Sequence, residues 1–378
     1  MITWTYLLIA LTGIFLVVNA SHVQLDKRAG TAYNYWNTKA WGVNLGNWLI
    51  LEKWMNPSFF EQYASKAKDE WTFCQQASDP AKVLKQHWDT WVTEDDFKKL
   101  AMAKVNHVRI PVGYWAFIKP DSAEPYIFTG QKAQIQRVLG YCKKYDMYAI
   151  IDLHGLPGSQ NGNDHSGRSG PIGFYSDYNI KRSLQVVQAV VGWMNGLESS
   201  LKGRISAIES ANEPHADTDA HFKQLKNYYQ QAYKIIQSSS FKVPMLFHDA
   251  FKGLDAWKDF LTASANAVID LHPYYAFPPN KNKTSIIEGI CNTKSQAKSF
   301  HLPVFFGEWS VASGVSNSSE WLKIMMDTQV SVYKNSGVGG TFWSLKNKIN
   351  SNVWSFEQLL DQDIISNKTF SDSPNHQC

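Results

Sequence analysis

The chain is long enough for one large domain, and its composition argues against several classes of protein. It has 378 residues, of which 44% are hydrophobic and 19% charged, with a formal net charge of only +4. This apolar content supports a sizeable core, and a small charge without a long basic run argues against nucleic-acid binding. The 15 Trp and 17 Tyr suit stacking on sugar faces, although most aromatic rings simply fill a core.

The amino-terminal segment has the features of a secretory signal. Residues 6–18 are almost wholly apolar and small residues follow, although no Lys or Arg precedes the run. A membrane anchor is the alternative, but the run is shorter than the roughly 20 residues that span a bilayer. The dibasic pair Lys27-Arg28 suits processing. We therefore predict a signal peptide over 1–20, a propeptide over 21–28 and a secreted mature domain over 29–378, without a membrane span.

Beyond residue 40, short apolar strands alternate with amphipathic helices. The predicted strands are Trp41–Leu45, His107–Val112, Tyr148–Leu153, Ile205–Ser210, Met245–His248, Ala267–Leu271, Val304–Phe306 and Gly340–Trp343. The clearest helical stretches are Glu94–Ala103, Gln131–Tyr145, Ile180–Gly196, His221–Ser238 and Ser319–Asn335. This alternation favours a parallel sheet, and eight units in about 310 residues predict a single-domain α/β fold, the (β/α)8 barrel. An open doubly wound sheet is the alternative, but its Gly-rich phosphate loop is absent after the first strand.

Polar and aromatic side chains gather where the apolar strands end. Active sites of such barrels lie at the carboxyl ends of the strands. The residues that collect there are Asn44, Asn47, Arg109, His154, Asn212, Glu213, His272, Tyr274, Glu308 and Trp343. Because they recur at the same end of strand after strand, we expect them to form one shared site.

Two of these residues, Glu213 in ANEP and Glu308 in FFGEWS, are carboxylates at strand ends. Hydrolysis of a glycosidic bond requires two such groups, one to protonate the leaving oxygen and one to attack or to activate water. We expect Glu213 to have a raised pKa and to begin protonated, and Glu308 to be ionised beside Arg109. No metal-ligand motif such as HExxH occurs, and the chemistry needs neither a metal nor a cofactor.

Several of these residues also have a purely structural interpretation. Asn and Pro favour turns, so the Asn-Glu-Pro segment could be a turn alone. Arg109 could form a structural ion pair, and His154 and Trp343 could belong to the core. Asp152 lies inside a strand and is more typical of a structural residue, whereas His272 and Tyr274 share one face if their strand continues.

The four cysteines, Cys74, Cys142, Cys291 and Cys378, permit disulfides in an oxidising compartment. Four cysteines allow three pairings, and the sequence does not choose between them. Their spacing does not match a zinc site.

Longer motifs resemble one family. They are WGVNLGNWLILEKWMNPSFFE, VNHVRIPVGYW, IIDLHGLPGSQNG, ANEP, LHPYYAF, VFFGEWS, TFWSLK and the final NHQC. With them the chain resembles the fungal exo-β-1,3-glucanases of glycoside hydrolase family 5, in clan A, over essentially the whole mature chain. ANEP and GEWS are general for the clan, whereas GVNLGNWLILE and DLHGLPGSQNG point to the β-1,3-glucanase branch.

The resemblance implies a role for each matched residue. Glu213 would be the acid/base and Glu308 the nucleophile, with net retention. Asn212 would bind the 2-hydroxyl, and Glu52 and Asp164 would hold the terminal glucose. The shared site would be completed by Arg109, His154, His272, Tyr274 and Trp343. Cys291 and Cys378 match a family disulfide.

One departure from the family lies at the expected entrance of the site. Phe277 matches one ring of an aromatic clamp, but the partner position, usually Phe in yeast members, is Asn163 here. GNW replaces the more usual GGW. We therefore expect weaker binding on the leaving-group side.

The predicted function is a secreted, monomeric β-glucan hydrolase, extracellular or in the cell wall, that releases glucose from non-reducing ends of β-1,3-glucan. The same barrel could instead act on β-1,6-linked or mixed glucan, act within chains, or transfer glucose to another sugar. A carbohydrate-binding wall protein is the non-enzymatic alternative, and a serine hydrolase is weaker because GxSxG is absent.

Overall fold

The computed structural model describes residues 33–277, 282–371 and 378. The predicted signal peptide, the propeptide and the start of the mature domain lie outside these residues. Among the described residues, no helix combines the length and apolar character needed to cross a membrane.

Eight parallel strands close into a barrel in chain order. They are β1 (Ala40–Asn44), β2 (His107–Gly113), β3 (Tyr148–Gly155), β4 (Ile205–Glu209), β5 (Met245–His248), β6 (Ala267–Asp270), β7 (Val304–Trp309) and β8 (Gly339–Phe342). The first and last strands pair with each other, Ala40 opposite Gly339, which seals the sheet. The predicted barrel is confirmed and the open sheet is excluded.

Helices follow the strands and cover the outside of the barrel. They are α1 (Pro57–Ala64), α2 (Glu70–Gln76), α3 (Pro80–Trp91), α4 (Glu94–Met102), α5 (Gln131–Lys144), α6 (Asp177–Gly196), α7 (Ser199–Lys202), α8 (Asp219–Gln237), α9 (Lys283–Ser299), α10 (Ser319–Ser336) and α11 (Phe356–Asp361). Their apolar faces pack on the barrel, and a second buried cluster, which includes Tyr35, Ile150 and Phe305, fills the amino end of its interior.

Several strand ends differ from the prediction in a way that matters for the site. β7 continues through Glu308 to Trp309, and β3 continues through His154 to Gly155. Arg109 is the third residue of β2, inside the barrel. Glu308, His154 and Arg109 are therefore held by the strands themselves, whereas Glu213 lies in the turn after β4.

One carboxylate joins helix α2 to the loop after β3. Asp69 caps the helix, since its Oδ1 accepts a hydrogen bond from the Thr72 backbone N–H at 2.8 Å. Its Oδ2 accepts from the backbone N–H and the hydroxyl of Ser169, at 2.8 and 2.7 Å. The loop over residues 156–170 is thus anchored to a helix terminus.

A disulfide joins Cys291 of α9 to Cys378, with 5.6 Å between their Cα atoms, and confirms the predicted pair. Cys74 and Cys142 are buried and free. Closing a segment of 87 residues is worth roughly 4 kcal/mol in the chain-entropy model.

Candidate active site

Arg109 is the centre of a buried polar network at the carboxyl end of the barrel. Its side chain is fully buried, and its Nε donates to Glu209 at 2.7 Å. Its two terminal nitrogens donate to Glu308 Oε1 at 2.9 Å and to Asn212 Oδ1 at 2.8 Å. Nη1 also donates to Asn44 Oδ1 at 3.0 Å. One guanidinium therefore fixes side chains from β1, β4, the turn after β4, and β7.

Glu308 is held at both oxygens. While Arg109 binds Oε1, the Tyr274 hydroxyl donates to Oε2 at 2.8 Å. The preceding Gly307 lets β7 approach β6, because a Cβ there would lie 2.0 Å from Asp270 Oδ2. Its N–H donates to Asp270 Oδ1 at 2.6 Å. The Glu308 carboxylate is thus fixed in position with one edge toward the cavity.

Glu213 occupies a turn that the backbone would not adopt without support. Its φ of 46° is in the left-handed region, which costs a non-glycine residue free energy unless the surroundings fix it. Gln160 supplies this support, since its side-chain amide donates to the carbonyls of His154 and Asn212 at 2.7 and 2.9 Å. The turn then aims Glu213 at His272, whose Nδ1 donates to Oε1 at 2.7 Å.

The two glutamates face each other across one histidine atom. His272 Nδ1 lies 2.7 Å from Glu213 Oε1 and 3.7 Å from Glu308 Oε2. These two oxygens can be no farther apart than the sum of those distances. Both carboxylates therefore border the same small space, as the two groups that cleave a glycosidic bond must.

The expectation of a raised pKa for Glu213 is wrong. Burial alone would raise it, but the hydrogen bond and charge of His272, with smaller contributions from His165 and His248, hold the pKa of Glu213 well below its usual range. Burial would likewise lower the pKa of His272, yet Glu308 and Asp270 raise it well above its usual range. The proton shared by this pair therefore rests on His272.

His154 and Trp343 form one wall beside the carboxylates. His154 Nδ1 hydrogen-bonds Asp152 Oδ2 at 2.7 Å, and the Asp152 carboxylate also lies 3.1 Å from Arg109. The rings of His154 and Trp343 are nearly parallel, with centroids 5.7 Å apart. Both residues are buried but line the cavity, so their edges are available to a ligand. The structural interpretation of Asp152 agrees with this geometry.

A cavity of about 730 Å³ opens above these groups. Most of its lining residues are aromatic or ionisable. They are Glu52, Trp54, His154, Asn163, His165, Glu213, Phe251, His272, Tyr274, Phe277, Glu308, Trp343 and Trp354. Arg109 and Asn212 are fully buried and do not line the cavity. Asp164 is half-buried and does not line it either.

Glu52 marks the inner side of the cavity. Its carboxylate is almost fully buried and accepts from Trp54 Nε1 at 2.9 Å, while its backbone N–H donates to Asn47 at 2.8 Å. Burial and the nearby charge of Asp164 raise the pKa of Glu52 well above its usual range. The charge of Asp164 therefore reaches the Glu52 carboxyl.

The mouth of the cavity combines polar and aromatic residues. Asn163 and Phe277 both line it, as the sequence predicted, and the Phe277 side chain is 66% exposed. Phe251, which the sequence interpretation missed, is a second exposed ring there. Ala250 and Phe251 both have φ of 55°, so this loop has an unusual backbone that presents the ring.

Other contributors were also missed. Glu209 accepts a hydrogen bond from Arg109, and Asp270 lies 3.4 Å from His272 Nε2. Trp354 packs against Tyr274, with ring centroids 5.5 Å apart. Asp270 lies two residues before His272, and this spacing, which places both on one strand face, could have revealed it. Trp354 lies beyond the last strand, where no periodic signal applies.

Within the described part of the chain, two groups of side chains bring potential metal-ligand atoms within 4.8 Å of one another: Glu213, His248 and His272, and Glu209, Asp270 and His272. Both ring nitrogens of His272 already face carboxylates. His248 Nδ1 accepts from the Ala250 N–H at 3.0 Å, which places the hydrogen of the neutral ring on Nε2. A cation would have to disrupt these bonds, so the arrangement favours proton transfer over metal binding.

Comparisons with known proteins agree with this geometry. The family described as Cellulase (glycosyl hydrolase family 5) matches residues 74–349. A probable glucan 1,3-beta-glucosidase A of Aspergillus clavatus is 35% identical over 310 residues, 81% of this chain and 73% of that protein. A glucan 1,3-beta-glucosidase of Yarrowia lipolytica is 31% identical over 412 residues, 94% of this chain and 95% of that protein.

Among solved structures, the rutinosidase from Aspergillus niger superposes with a TM-score of 0.82 at 26% identity, covering 88% of this chain and 99% of that one. The endoglucanase Cel5A from Thermotoga maritima has a TM-score of 0.56 at 14% identity, which shows a common fold alone. The resemblance found in the sequence motifs is confirmed.

Proposed function

Because the chain belongs to glycosyl hydrolase family 5, we propose that it is a retaining glucan 1,3-β-glucosidase that releases glucose from the non-reducing ends of β-1,3-glucan. The observation that carries the proposal is the placement of Glu213 and Glu308 around one histidine nitrogen at the base of a cavity. The names of the curated relatives supply the substrate class.

In the first step Glu308 is the nucleophile. Its carboxylate oxygen bonds to C1 of the terminal glucose while the bond from C1 to the glycosidic oxygen breaks, and that oxygen takes a proton from Glu213. Arg109 and Tyr274 hold the nucleophile at its two oxygens, so little reorganisation is needed during attack.

The acid proton reaches Glu213 from His272. His272 Nδ1 donates to Glu213 Oε1 at 2.7 Å, so a proton transfer along this one hydrogen bond produces the acid form of Glu213. Removal of water from around the pair by a bound sugar favours this neutral form over the ion pair. The pair then titrates as a unit and not as two separate groups.

In the second step a water attacks C1 of the glycosyl intermediate. Its proton passes to Glu213, now a carboxylate, and the C1 bond to Glu308 breaks with release of that carboxylate. In this proposal Asn212, which Arg109 holds at 2.8 Å, binds the 2-hydroxyl in both steps. In this proposal His154 and Trp343 form the wall beside the same sugar.

Action at chain ends is supported by the inner side of the cavity. In this proposal the buried Glu52 carboxyl, with the charge of Asp164 near it, hydrogen-bonds hydroxyls of a terminal glucose. Action inside chains and β-1,6 linkages are the alternatives on this barrel. The likeness to a rutinosidase adds a rutinoside to the substrates worth testing.

A product time course tests the proposal. Purified enzyme is incubated with laminarin, with a β-1,6-glucan such as pustulan, and with a rutinoside, and the products are separated at early times. Glucose as the sole early product from laminarin supports action at chain ends. A ladder of oligosaccharides would show internal cleavage, and no reducing sugar from any substrate would favour a binding protein.

We further propose that the enzyme is secreted and acts as a monomer outside the cell or in the cell wall. The apolar segment over residues 6–18, the dibasic pair Lys27-Arg28 and the disulfide support secretion. Detection of the protein in culture medium with an amino terminus at Ala29 would support it, and retention inside the cell would contradict it.

A further inference from the structure

The two carboxylate oxygens of Glu213 have different surroundings. Oε1 accepts the hydrogen bond from His272. Among the described residues, the nearest ion-pair partner of Oε2 is His165, whose Nε2 lies 3.6 Å away. Because Oε1 is occupied by His272, Oε2 is the oxygen left to take a proton from the attacking water in the second step.

The separation between His165 Nε2 and Glu213 Oε2 suits a bridged contact. At 3.6 Å the two atoms are too far apart for a direct hydrogen bond. Both can still lie within hydrogen-bond distance of one water oxygen placed beside them. The His165 side chain is 20% exposed and lines the cavity, so such a water has access from the mouth.

The ring of His165 is held in place by its local structure. It lies in the single 3₁₀ turn Asp164–Ser166, which ends at Gly167 with φ of 88°. The Ser166 hydroxyl donates to the Asn163 carbonyl at 2.7 Å, and the loop is anchored at Ser169 by Asp69. His165 is therefore positioned before any ligand binds.

The groups around His165 leave it neutral. Glu213 faces it from the turn after β4, Glu308 from β7, His154 from β3, and Asp164 from its own turn. Burial, helped by His154 and opposed by the carboxylates, lowers the pKa of His165 below its usual range. A neutral imidazole carries one hydrogen, and with that hydrogen on Nδ1 the Nε2 atom accepts a hydrogen bond.

We propose that His165 positions the water that attacks the glycosyl intermediate and thereby favours hydrolysis over transfer to a sugar. This rests on the proposed function. The attacking water gives one hydrogen to Glu213 Oε2 and directs the other to His165 Nε2, which aims its lone pair at C1. A sugar hydroxyl has a single hydrogen, which Glu213 takes, so it gains nothing from His165.

The test separates the two steps with a dinitrophenyl β-glucoside. Its leaving group departs readily, so kcat reports attack by water and kcat/KM reports formation of the intermediate. His165→Leu is expected to lower kcat about tenfold, the loss of one hydrogen bond in the transition state, with a burst of dinitrophenol. kcat/KM should change less than about twofold, and with an added sugar acceptor the ratio of transfer to hydrolysis should rise.

The controls distinguish positioning from structure. His165→Gln restores an acceptor oxygen and should recover much of kcat, whereas His221→Leu, whose ring stacks on Tyr175 outside the cavity, should match wild type. If the Leu variant does not fold, His165→Ala replaces it.

Equal losses in kcat and kcat/KM, or an unchanged product ratio, would overturn the inference. A wild-type enzyme that hydrolyses no glucoside would instead overturn the proposed function.

Discussion

The base and the mouth of the cavity are built on opposite principles. At the base, Arg109 is fully buried and its three nitrogens bind Glu209, Glu308, Asn212 and Asn44. At the mouth, Phe251 and Phe277 are 54% and 66% exposed and project from loops. At the base, a substitution leaves several buried polar groups without a partner. At the mouth, a substitution leaves few buried groups unpaired. We therefore expect the buried network at the base to fix the chemistry, and the exposed loops at the mouth to set the preference for the leaving group.

Among substitutions at the base of the cavity, Glu308→Gln should cause the largest loss of hydrolytic rate. An amide cannot form the glycosyl intermediate, so hydrolysis should fall at least about 10³-fold while the fold is retained. Steady-state rates on laminarin and thermal unfolding measure the two effects. Glu61→Gln, an exposed position on α1, is the matched control. More than a tenth of the wild-type rate would place the nucleophile elsewhere.

Arg109→Met tests how far stability depends on the same network. The substitution leaves Glu209 and Asp152 buried without their cation, which should cost about 3–5 kcal/mol in the free energy of unfolding. Urea unfolding measures this cost. Arg168→Met is the control, since its exposed guanidinium lies over Trp71 and should be worth less than about 1 kcal/mol. Equal costs would show that the network does not stabilise the base.

Glu213→Ala distinguishes proton donation from other roles. Rates on laminarin should fall about 10²-fold or more, because its leaving oxygen needs a proton. A dinitrophenyl glucoside needs none for departure, so kcat/KM for it should fall much less. Comparison of kcat/KM for the two substrates makes the measurement, and equal losses would contradict the acid role.

Substitutions at the mouth of the cavity should change KM and the yield of transfer products by small factors only. Asn163→Phe adds a ring that faces the space near Phe277, and stacking on a sugar is worth on the order of 1 kcal/mol. KM for laminarin should fall severalfold, KM for an aryl glucoside should not, and transfer products should increase.

Asn227→Phe, on the exposed face of α8, serves as the control. If Asn163→Phe changes neither the KM for laminarin nor the yield of transfer products, Phe251 already supplies the second ring.

The base was also far more predictable from sequence than the mouth. Strand and helix periodicity is local, and polar residues that interrupt apolar strands, such as Arg109 and Glu308, stand out. Phe251 was missed because its direction depends on two successive left-handed residues. The low pKa of Glu213 was missed for another reason: it depends on histidines from three other parts of the chain, which no single motif brings together.

The anchoring of the mouth loop by Asp69 has a consequence for how this enzyme can be altered. One oxygen of this side chain begins helix α2 and the other holds Ser169 in the loop that carries Asn163 and His165. A foreign loop grafted over residues 156–170 would lose its tether unless it kept a donor opposite Asp69, and a change at Asp69 itself would disturb helix and loop together. We therefore expect α2 and this loop to be exchangeable between related enzymes only when both are replaced together.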